Sequence, residues 1–163
     1  MPSAFTKTFD TPTYKGTITI PLGLYINGEH VDPVEGGSIE VVNPTTGKVI
    51  TSIAAGTKAD IDIAAPAAQK AYKTSWGFKV PGKERGRLMF KLADLMEEHI
   101  EEFAVLDALA NGKAFKTAHT GDNRGAISVM KYYAGWADKI NGKVIETHDK
   151  KLSYTRHEPI GVV

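Results

Sequence analysis

The chain has 163 residues, with 20 Lys and Arg against 19 Asp and Glu, five His and no cysteine. This length is typical of one compact domain, and the 42% hydrophobic content excludes a disordered chain. A formal charge of +1 provides no electrostatic basis for binding nucleic acid or an anionic membrane, and the lack of cysteine excludes disulfides, thiolate metal sites and a thiol nucleophile.

Residues 1–20 are predicted to form an extended N-terminal arm that stays partly disordered until it pairs with another segment. The arm contains six threonines and no apolar run of the kind that a secretory signal needs. It also lacks the arginine typical of a mitochondrial presequence, and no part of the sequence is apolar over the ~18 residues of a membrane span. We therefore expect a cytoplasmic protein, with the mitochondrial matrix as the less favoured alternative.

Two antiparallel hairpins are predicted between residues 24 and 54. In the first, Asn27 and Gly28 suit the positive φ angles of a type I′ turn between segments 24–26 and 29–31. In the second, the Pro44 to Gly47 segment forms the turn between segments 38–43 and 48–54, because proline presets φ and glycine permits a positive one.

Helical periodicity begins after Thr57, which with Asp60 three residues later has the pattern of a capping box. The first helix is predicted to run to about residue 73, kinked or shortened at Pro66, because an interior proline costs about 3 kcal/mol. A second and longest helix is predicted from about Gly82 to Ala110. A third is predicted from about Asp122 to Ile140, so the sequence indicates three helices.

The second predicted helix has its charges in an unusual order. Basic residues lie near its start and glutamates follow, which opposes the helix dipole. A solvated charged face is the preferred interpretation, and a basic helix start that faces an acidic partner is the alternative.

A final hairpin is predicted from Lys143–Thr147 and Lys151–His157, joined by residues 148–150. The next residues, Ile160–Val163, have the pattern of a buried strand. A chain terminus there would place a carboxylate beside an apolar strand, where burial is costly. We therefore expect the sequence to stop inside an element of a longer subunit.

The residues alone predict no catalytic or metal site. Ser153 and His157 are about 13 Å apart on one strand at ~3.3 Å per residue, too far to form a triad with Asp149. The histidines lack metal-ligand spacing, and no glycine-rich phosphate loop is present. Tyr132, Tyr133 and Trp136 are interpreted as core or interface packing in preference to base stacking.

Seven segments nevertheless occur in a specific order between residues 20 and 163: Tyr25-Ile26-Asn27-Gly28-Glu29, Val42–Ile50, Arg85-Gly86-Arg87-Leu88, Leu92-Ala93-Asp94-Leu95, Asn111-Gly112-Lys113, Tyr132–Lys139 and Ser153–Val162. Together they resemble the N-terminal part of the aldehyde dehydrogenase superfamily, nearest to its tetrameric cytosolic and mitochondrial branch. Each segment alone is weak evidence, whereas the ordered set is highly specific.

The resemblance implies an NAD- or NADP-dependent oxidation of aldehydes to carboxylic acids by a cysteine thiolate. It also implies that the catalytic cysteine, the glutamate, the oxyanion asparagine and the cofactor-binding lysine all lie downstream of Val163. We therefore expect no catalytic and no cofactor-binding residue in this chain, and an isolated chain that binds neither NAD nor NADP and is inactive.

The resemblance implies that this chain has a structural role within the larger subunit. By the resemblance, residues 21–142 form the N-terminal part of the cofactor-binding domain, residues 143–159 the hairpin of the oligomerisation domain, and residues 160–163 the start of a core strand. The fold class is predicted to be α+β as it stands, with antiparallel hairpins and three helices, within a larger α/β subunit. The hairpin 143–157 is expected to join copies into a homo-oligomer, consistent with unpaired strand edges.

Two further implications concern small sites. Gly121 and Gly125 match positions that line the substrate entrance in relatives, where small residues indicate room for bulky aldehydes; a loosened helix start is the simpler interpretation. Some relatives bind a structural cation near the positions of Val41 and Ala110. Because Ala110 stands where a carboxylate is usual, we expect no metal site.

Two alternatives to the enzyme interpretation remain open. The chain is a non-enzymatic assembly or interaction module that uses its exposed hairpin edge, or, less favoured, an independent ligand-binding domain. Neither alternative predicts the downstream catalytic groups that the enzyme requires.

Overall fold

The computed structural model describes residues 3–163, and Met1 and Pro2 of the predicted arm lie outside the described residues. Over this range eight strands form four separate two-stranded antiparallel hairpins, and four helices of more than ten residues lie between the third and fourth hairpins. The strands are β1 (Ala4–Asp10), β2 (Lys15–Pro21), β3 (Leu24–Ile26), β4 (Glu29–Val31), β5 (Ser38–Val42), β6 (Val49–Ala54), β7 (Val144–His148) and β8 (Lys151–Tyr154). The helices are α1 (Lys58–Thr74), α2 (Gly82–Glu98), α3 (Ile100–Asn111) and α4 (Arg124–Ala134). The α+β class with antiparallel hairpins is confirmed, whereas the predicted count of three helices is wrong.

The predicted extended arm is a hairpin that pairs with itself. Strands β1 and β2 are fully in register, from Ala4 opposite Pro21 to Asp10 opposite Lys15. Side chains alternate between two faces, and Phe9 and Ile18 on one of them are only 8% and 3% exposed. The arm is ordered because this apolar face packs on Val105 of α3.

The two middle hairpins match their predictions. Asn27 and Gly28 have φ angles of 53° and 87°, as the tight turn between β3 and β4 requires. In the turn between β5 and β6, Asn43 Oδ1 accepts a hydrogen bond from the Thr45 N–H at 2.9 Å. Local side-chain chemistry therefore determined both turns.

Helix α1 begins with the predicted capping box between Thr57 and Asp60. The helix continues through Pro66 to Thr74, so the expected shortening at the proline is wrong. Pro66 lies on the exposed side of α1, where solvent can hydrate the carbonyl that has no N–H donor.

The predicted long helix from residue 82 to 110 is two helices, which meet at His99. The φ and ψ of His99 are −102° and 19°, outside the helical range, and His99 ends α2 and precedes α3. The break places Ile100 in one apolar cluster with Ala93 and Ile127. Tertiary packing therefore overrode a continuous helical pattern.

The interior of the described residues contains two small apolar clusters, Phe9–Ile18–Val105 and Ala93–Ile100–Ile127. Helices α2 and α4 approach closely at Gly86, where a Cβ would lie 2.7 Å from the Ala134 carbonyl oxygen. In the described range, no large side chain is less than 2% exposed. A core this thin leaves many apolar side chains at the surface.

Two predicted elements near the C-terminal end differ from the structure. The third predicted helix, 122–140, is shorter at its end, since α4 stops at Ala134. Residues 160–163 form no strand, and the Ile160 side chain is 89% exposed. A buried strand needs neighbouring strands for its backbone groups, and none of the eight described strands pairs with this segment. None of the helices between residues 3 and 163 combines the length and apolar character needed to cross a bilayer.

Candidate functional site

Gly121 and Gly125 lie on opposite sides of a junction between two kinds of helix. One α-helical turn, Phe115–Thr117, leads into a π-helical segment, Ala118–Asn123, and α4 follows directly. Both glycines are exposed, and a Cβ on either would meet no neighbouring side chain or other element within 4 Å. The junction therefore presents an open strip of backbone, and π-helical turns of this kind are frequent at functional sites.

The π-helical segment is tied firmly to α3. The Asn123 side-chain amide donates to Asp107 Oδ2 at 2.9 Å and to the Ala118 carbonyl at 3.0 Å. Ala118 is fully buried and Asn123 is 9% exposed. Lys113 forms an ion pair with Asp122 across the preceding loop, and this hydrogen bond raises the pKa of the Lys113 ammonium. The glycine strip therefore lies on an anchored backbone.

An exposed apolar face continues from Gly125 along α4. Val129, Tyr132 and Trp136 follow at helical spacing and therefore extend the same face. Their exposed fractions are 56%, 60% and 49%. Tyr132 and Trp136 therefore do not pack in a core of this chain, and packing at an interface stays a prediction.

This apolar face ends at a cleft of about 520 Å³ between α2 and α4. The cleft is lined by aromatic and aliphatic side chains and one arginine: Trp76, Arg85, Met89, Tyr132, Tyr133, Trp136, Ala137 and Ile140. Such a lining suits apolar or aromatic groups, and it offers no acid–base pair for chemistry.

Arg85 is the polar member of the cleft. Its guanidinium lies 5.8 Å from the centroid of the Trp76 ring, and Nη2 donates to the Gly77 carbonyl. The Arg85 Nε is buried without a hydrogen-bond partner in the part of the chain that the structure describes. In the sequence, Arg85 belongs to the basic start of the second predicted helix and to the segment Arg85-Gly86-Arg87-Leu88, and neither pattern indicates a contact with Trp76.

The basic start of α2 is largely engaged within the chain. Arg87 Nε donates to Glu84 Oε2 at 2.8 Å, which raises the pKa of Arg87 and lowers the pKa of Glu84. Arg85 donates to the Gly77 carbonyl. Both arginines near the start of α2 therefore bond to groups of this chain.

The rejected catalytic combinations are not assembled. Ser153 Oγ lies 3.2 Å from Thr147 Oγ1, and Asp149 pairs with His148 at 2.6 Å. Residues 3–163 contain no group of three or more His, Asp or Glu side chains placed to hold a metal ion. Val41 and Ala110, in β5 and α3, provide no side-chain oxygen.

Hairpin β7–β8, the predicted oligomerisation element, is almost entirely exposed. Its apolar side chains Val144, Leu152 and Tyr154 are 79%, 79% and 67% exposed. The strands pair only with each other in the described structure, so each leaves one row of backbone groups free to pair.

The fold and the site thus define an α+β unit that presents an anchored open strip, an apolar cleft and a hairpin with free outer edges. Comparison with known proteins identifies the unit further. The Aldehyde dehydrogenase family model matches residues 30–163. The chain belongs to the aldehyde dehydrogenase family and corresponds to the N-terminal part of its larger members.

Individual relatives extend the match. An aldehyde dehydrogenase of Agaricus bisporus is 55% identical over 163 residues, covering 100% of this chain and 33% of the relative. One of Emericella nidulans is 48% identical over 155 residues, covering 95% of this chain and 30% of the relative. The aldehyde dehydrogenase of Bacillus cereus, solved as an NAD+ complex, superposes with a TM-score of 0.82 at 40% identity, covering 85% of this chain and 28% of that chain. The chain therefore spans about a third of the length of its relatives.

Proposed function

We propose that this chain is the N-terminal scaffold of an aldehyde dehydrogenase subunit that oxidises aldehydes to carboxylic acids with NAD+. The observation that carries the proposal is the 55% identity to the Agaricus bisporus aldehyde dehydrogenase along the whole chain. NAD+ is preferred to NADP+ because the Bacillus cereus relative was solved with NAD+.

The chain by itself contributes structure and substrate access. A thiolate attack on an aldehyde requires a cysteine, and the sequence contains none. NAD+ would accept the hydride in the complete enzyme, whereas the residues of this chain form the open strip at Gly121 and Gly125. The space above both glycines is open, because a Cβ added at either one would meet no neighbouring side chain or other element within 4 Å. A bulky aldehyde could therefore pass along the strip.

Activity tests the chemical part of the proposal. We expect the purified chain, incubated with NAD+ and acetaldehyde, to produce no NADH. A chimaera that joins this chain to the remaining two thirds of the Agaricus bisporus enzyme should produce NADH at a rate close to that of the intact relative. Sustained turnover by the chain alone, or a folded chimaera without activity, would contradict the proposal.

Substitutions at the strip test substrate access. In the chimaera, Gly125→Leu should raise KM for a bulky aldehyde several-fold and leave KM for acetaldehyde unchanged, because the added side chain narrows only a wide path. Gly125→Ala is the matched control, since one methyl group fills little of the open space. Equal effects of Gly125→Leu on both aldehydes would exclude an entrance at this strip.

Oligomer formation and location complete the proposal. Hairpin β7–β8 joins copies into a homo-oligomer through its free strand edges, and the subunit acts in the cytoplasm. Size-exclusion chromatography with light scattering tests the first statement, and imaging of a C-terminally tagged protein tests the second.

The exposed apolar hairpin also supports a second candidate, a non-enzymatic assembly module. Sequencing the transcript past the Val163 codon separates the two. A downstream Pro-Trp-Asn segment followed by a cysteine supports the enzyme, and a stop codon directly after Val163 supports the assembly module.

A further inference from the structure

Hairpin β1–β2 is the one hairpin that precedes the family match. The match begins at residue 30, whereas the hairpin occupies residues 4–21. The Agaricus bisporus relative aligns over the whole chain. A segment outside the common family region that nevertheless packs into the interior calls for a role of its own.

The hairpin packs on the middle and the second half of α3. Phe9 and Ile18 form a buried cluster with Val105, and Leu106 and Leu109 pack against that cluster. Tyr14, at the hairpin turn, packs against the same cluster and contacts Phe9 edge-on at 5.8 Å. Burial, together with the charges of Glu102 and Glu101 on α3, raises the pKa of Tyr14.

The same cluster continues to the glycine strip. Phe115, which opens the turn before the π-helical segment, also packs against the cluster. Its ring stacks on His119 at 5.7 Å, inside the segment that contains Gly121. The cluster that the hairpin forms with Val105 of α3 therefore also contacts Phe115, which precedes the strip.

We propose that hairpin β1–β2 is a brace that positions the π-helical segment, with Phe9 as the central positioning residue, and thereby sets the width of the aldehyde entrance. The inference rests on the proposed function for its link to aldehydes, whereas the mechanical part stands on the contacts alone. Because interiors are close-packed, a void at Phe9 lets α3 and Phe115 shift together.

Hydrogen–deuterium exchange on the 163-residue chain tests the brace. Phe9→Ala should accelerate exchange at amides 113–123 by about tenfold or more, through local opening of the braced segment. Amides of β3–β6 should keep their rates. Thr8→Val is the matched control: it removes an outward hydroxyl that lies 2.8 Å from Thr17 Oγ1 and leaves the packed face intact.

Phe9→Leu is the control for general unfolding. It retains most of the apolar contact at position 9, so exchange at amides 113–123 should stay slow. Uniform acceleration along the chain in Phe9→Ala, or unchanged rates at 113–123 in both variants, would overturn the brace.

Kinetics of the chimaera test the link to the entrance. Phe9→Ala should change KM for a bulky aldehyde about threefold or more, while kcat for acetaldehyde and KM for NAD+ stay within twofold. Accelerated exchange without a change in the bulky-aldehyde KM would show a purely structural hairpin and refute the proposed positioning role. If neither Gly125→Leu nor Phe9→Ala changes the KM for the bulky aldehyde, the proposed entrance at the glycine strip is wrong. If Gly125→Leu changes that KM and Phe9→Ala does not, the entrance stands and the proposed brace is wrong.

Discussion

The two terminal hairpins have the same local architecture and opposite surroundings. Both are two-stranded and antiparallel with alternating side chains. In β1–β2 the residues Phe9 and Ile18 are less than a tenth exposed, whereas in β7–β8 the Leu152 side chain is 79% exposed. An isolated hairpin is marginal in water, so the difference lies in what each apolar face meets. The first packs on α3 of this chain, whereas the apolar side chains of the second stay exposed in the part of the chain that the structure describes.

The largest expected effect tests this difference directly. Ile18→Ala should lower the free energy of unfolding of the chain by about 3 kcal/mol, because it leaves a cavity against Val105. Leu152→Ala, on the exposed hairpin, should change it by less than about 0.5 kcal/mol. Urea unfolding followed by circular dichroism measures both. Similar losses for the two variants would remove the distinction between the hairpins.

Two helical glycines show the same contrast, since Gly86 lies in a close helix contact and Gly125 faces open space. Gly86→Ala should destabilise by about 1–3 kcal/mol, because the new Cβ would lie 2.7 Å from the Ala134 carbonyl oxygen in the contact of α2 with α4. Gly125→Ala should instead stabilise by about 0.5–1 kcal/mol, since alanine favours a helix and meets open space. Thermal unfolding of both variants gives the comparison, and effects of the same sign would contradict it.

Self-association should be confined to the second hairpin. Leu152→Lys places a charge on the exposed apolar face of β7–β8 and should weaken association of the chain about tenfold, or about 1.4 kcal/mol. Thr19→Lys, on the exposed outer face of β2, is the control and should have no effect. Sedimentation velocity over a concentration series measures the difference, and a chain that stays monomeric throughout would refute it.

The smallest expected effect lies between the hairpins, at the start of α1. Backbone N–H groups of Thr57 and Val34 donate to the Asp60 carboxylate at 2.7 and 2.9 Å, and these hydrogen bonds lower the pKa of Asp60. A carboxyl whose folded-state pKa is lowered stabilises the fold above its unfolded pKa of about 3.9, and this contribution is lost as the pH falls through the folded value.

Asp60→Asn should therefore flatten the decline in stability below about pH 4. Asp62→Asn, which breaks only the exposed pair with Lys58, should keep that decline. Unfolding curves between pH 3 and pH 6 measure both slopes, and an unchanged slope in Asp60→Asn would show that the acid response arises elsewhere.

Local chemistry accounts for the parts of the fold that were predicted correctly. The Asn27-Gly28 turn and the capping box at Thr57 depend on backbone conformations that a few adjacent residues impose. Gly121 and Gly125 are candidates by resemblance alone, because a glycine carries no periodic signal that reveals what surrounds it.

The sequence by itself determined the family, the α+β class, the middle hairpins and the absence of a cysteine nucleophile, because ordered motifs and turn residues act over a few positions. Only the tertiary structure decided that residues 4–21 form a packed hairpin, that the long helix breaks at His99 and that Arg85 meets Trp76. These outcomes depend on contacts between residues far apart in sequence. Periodicity reports which face of an element is apolar, and packing alone decides what that face contacts.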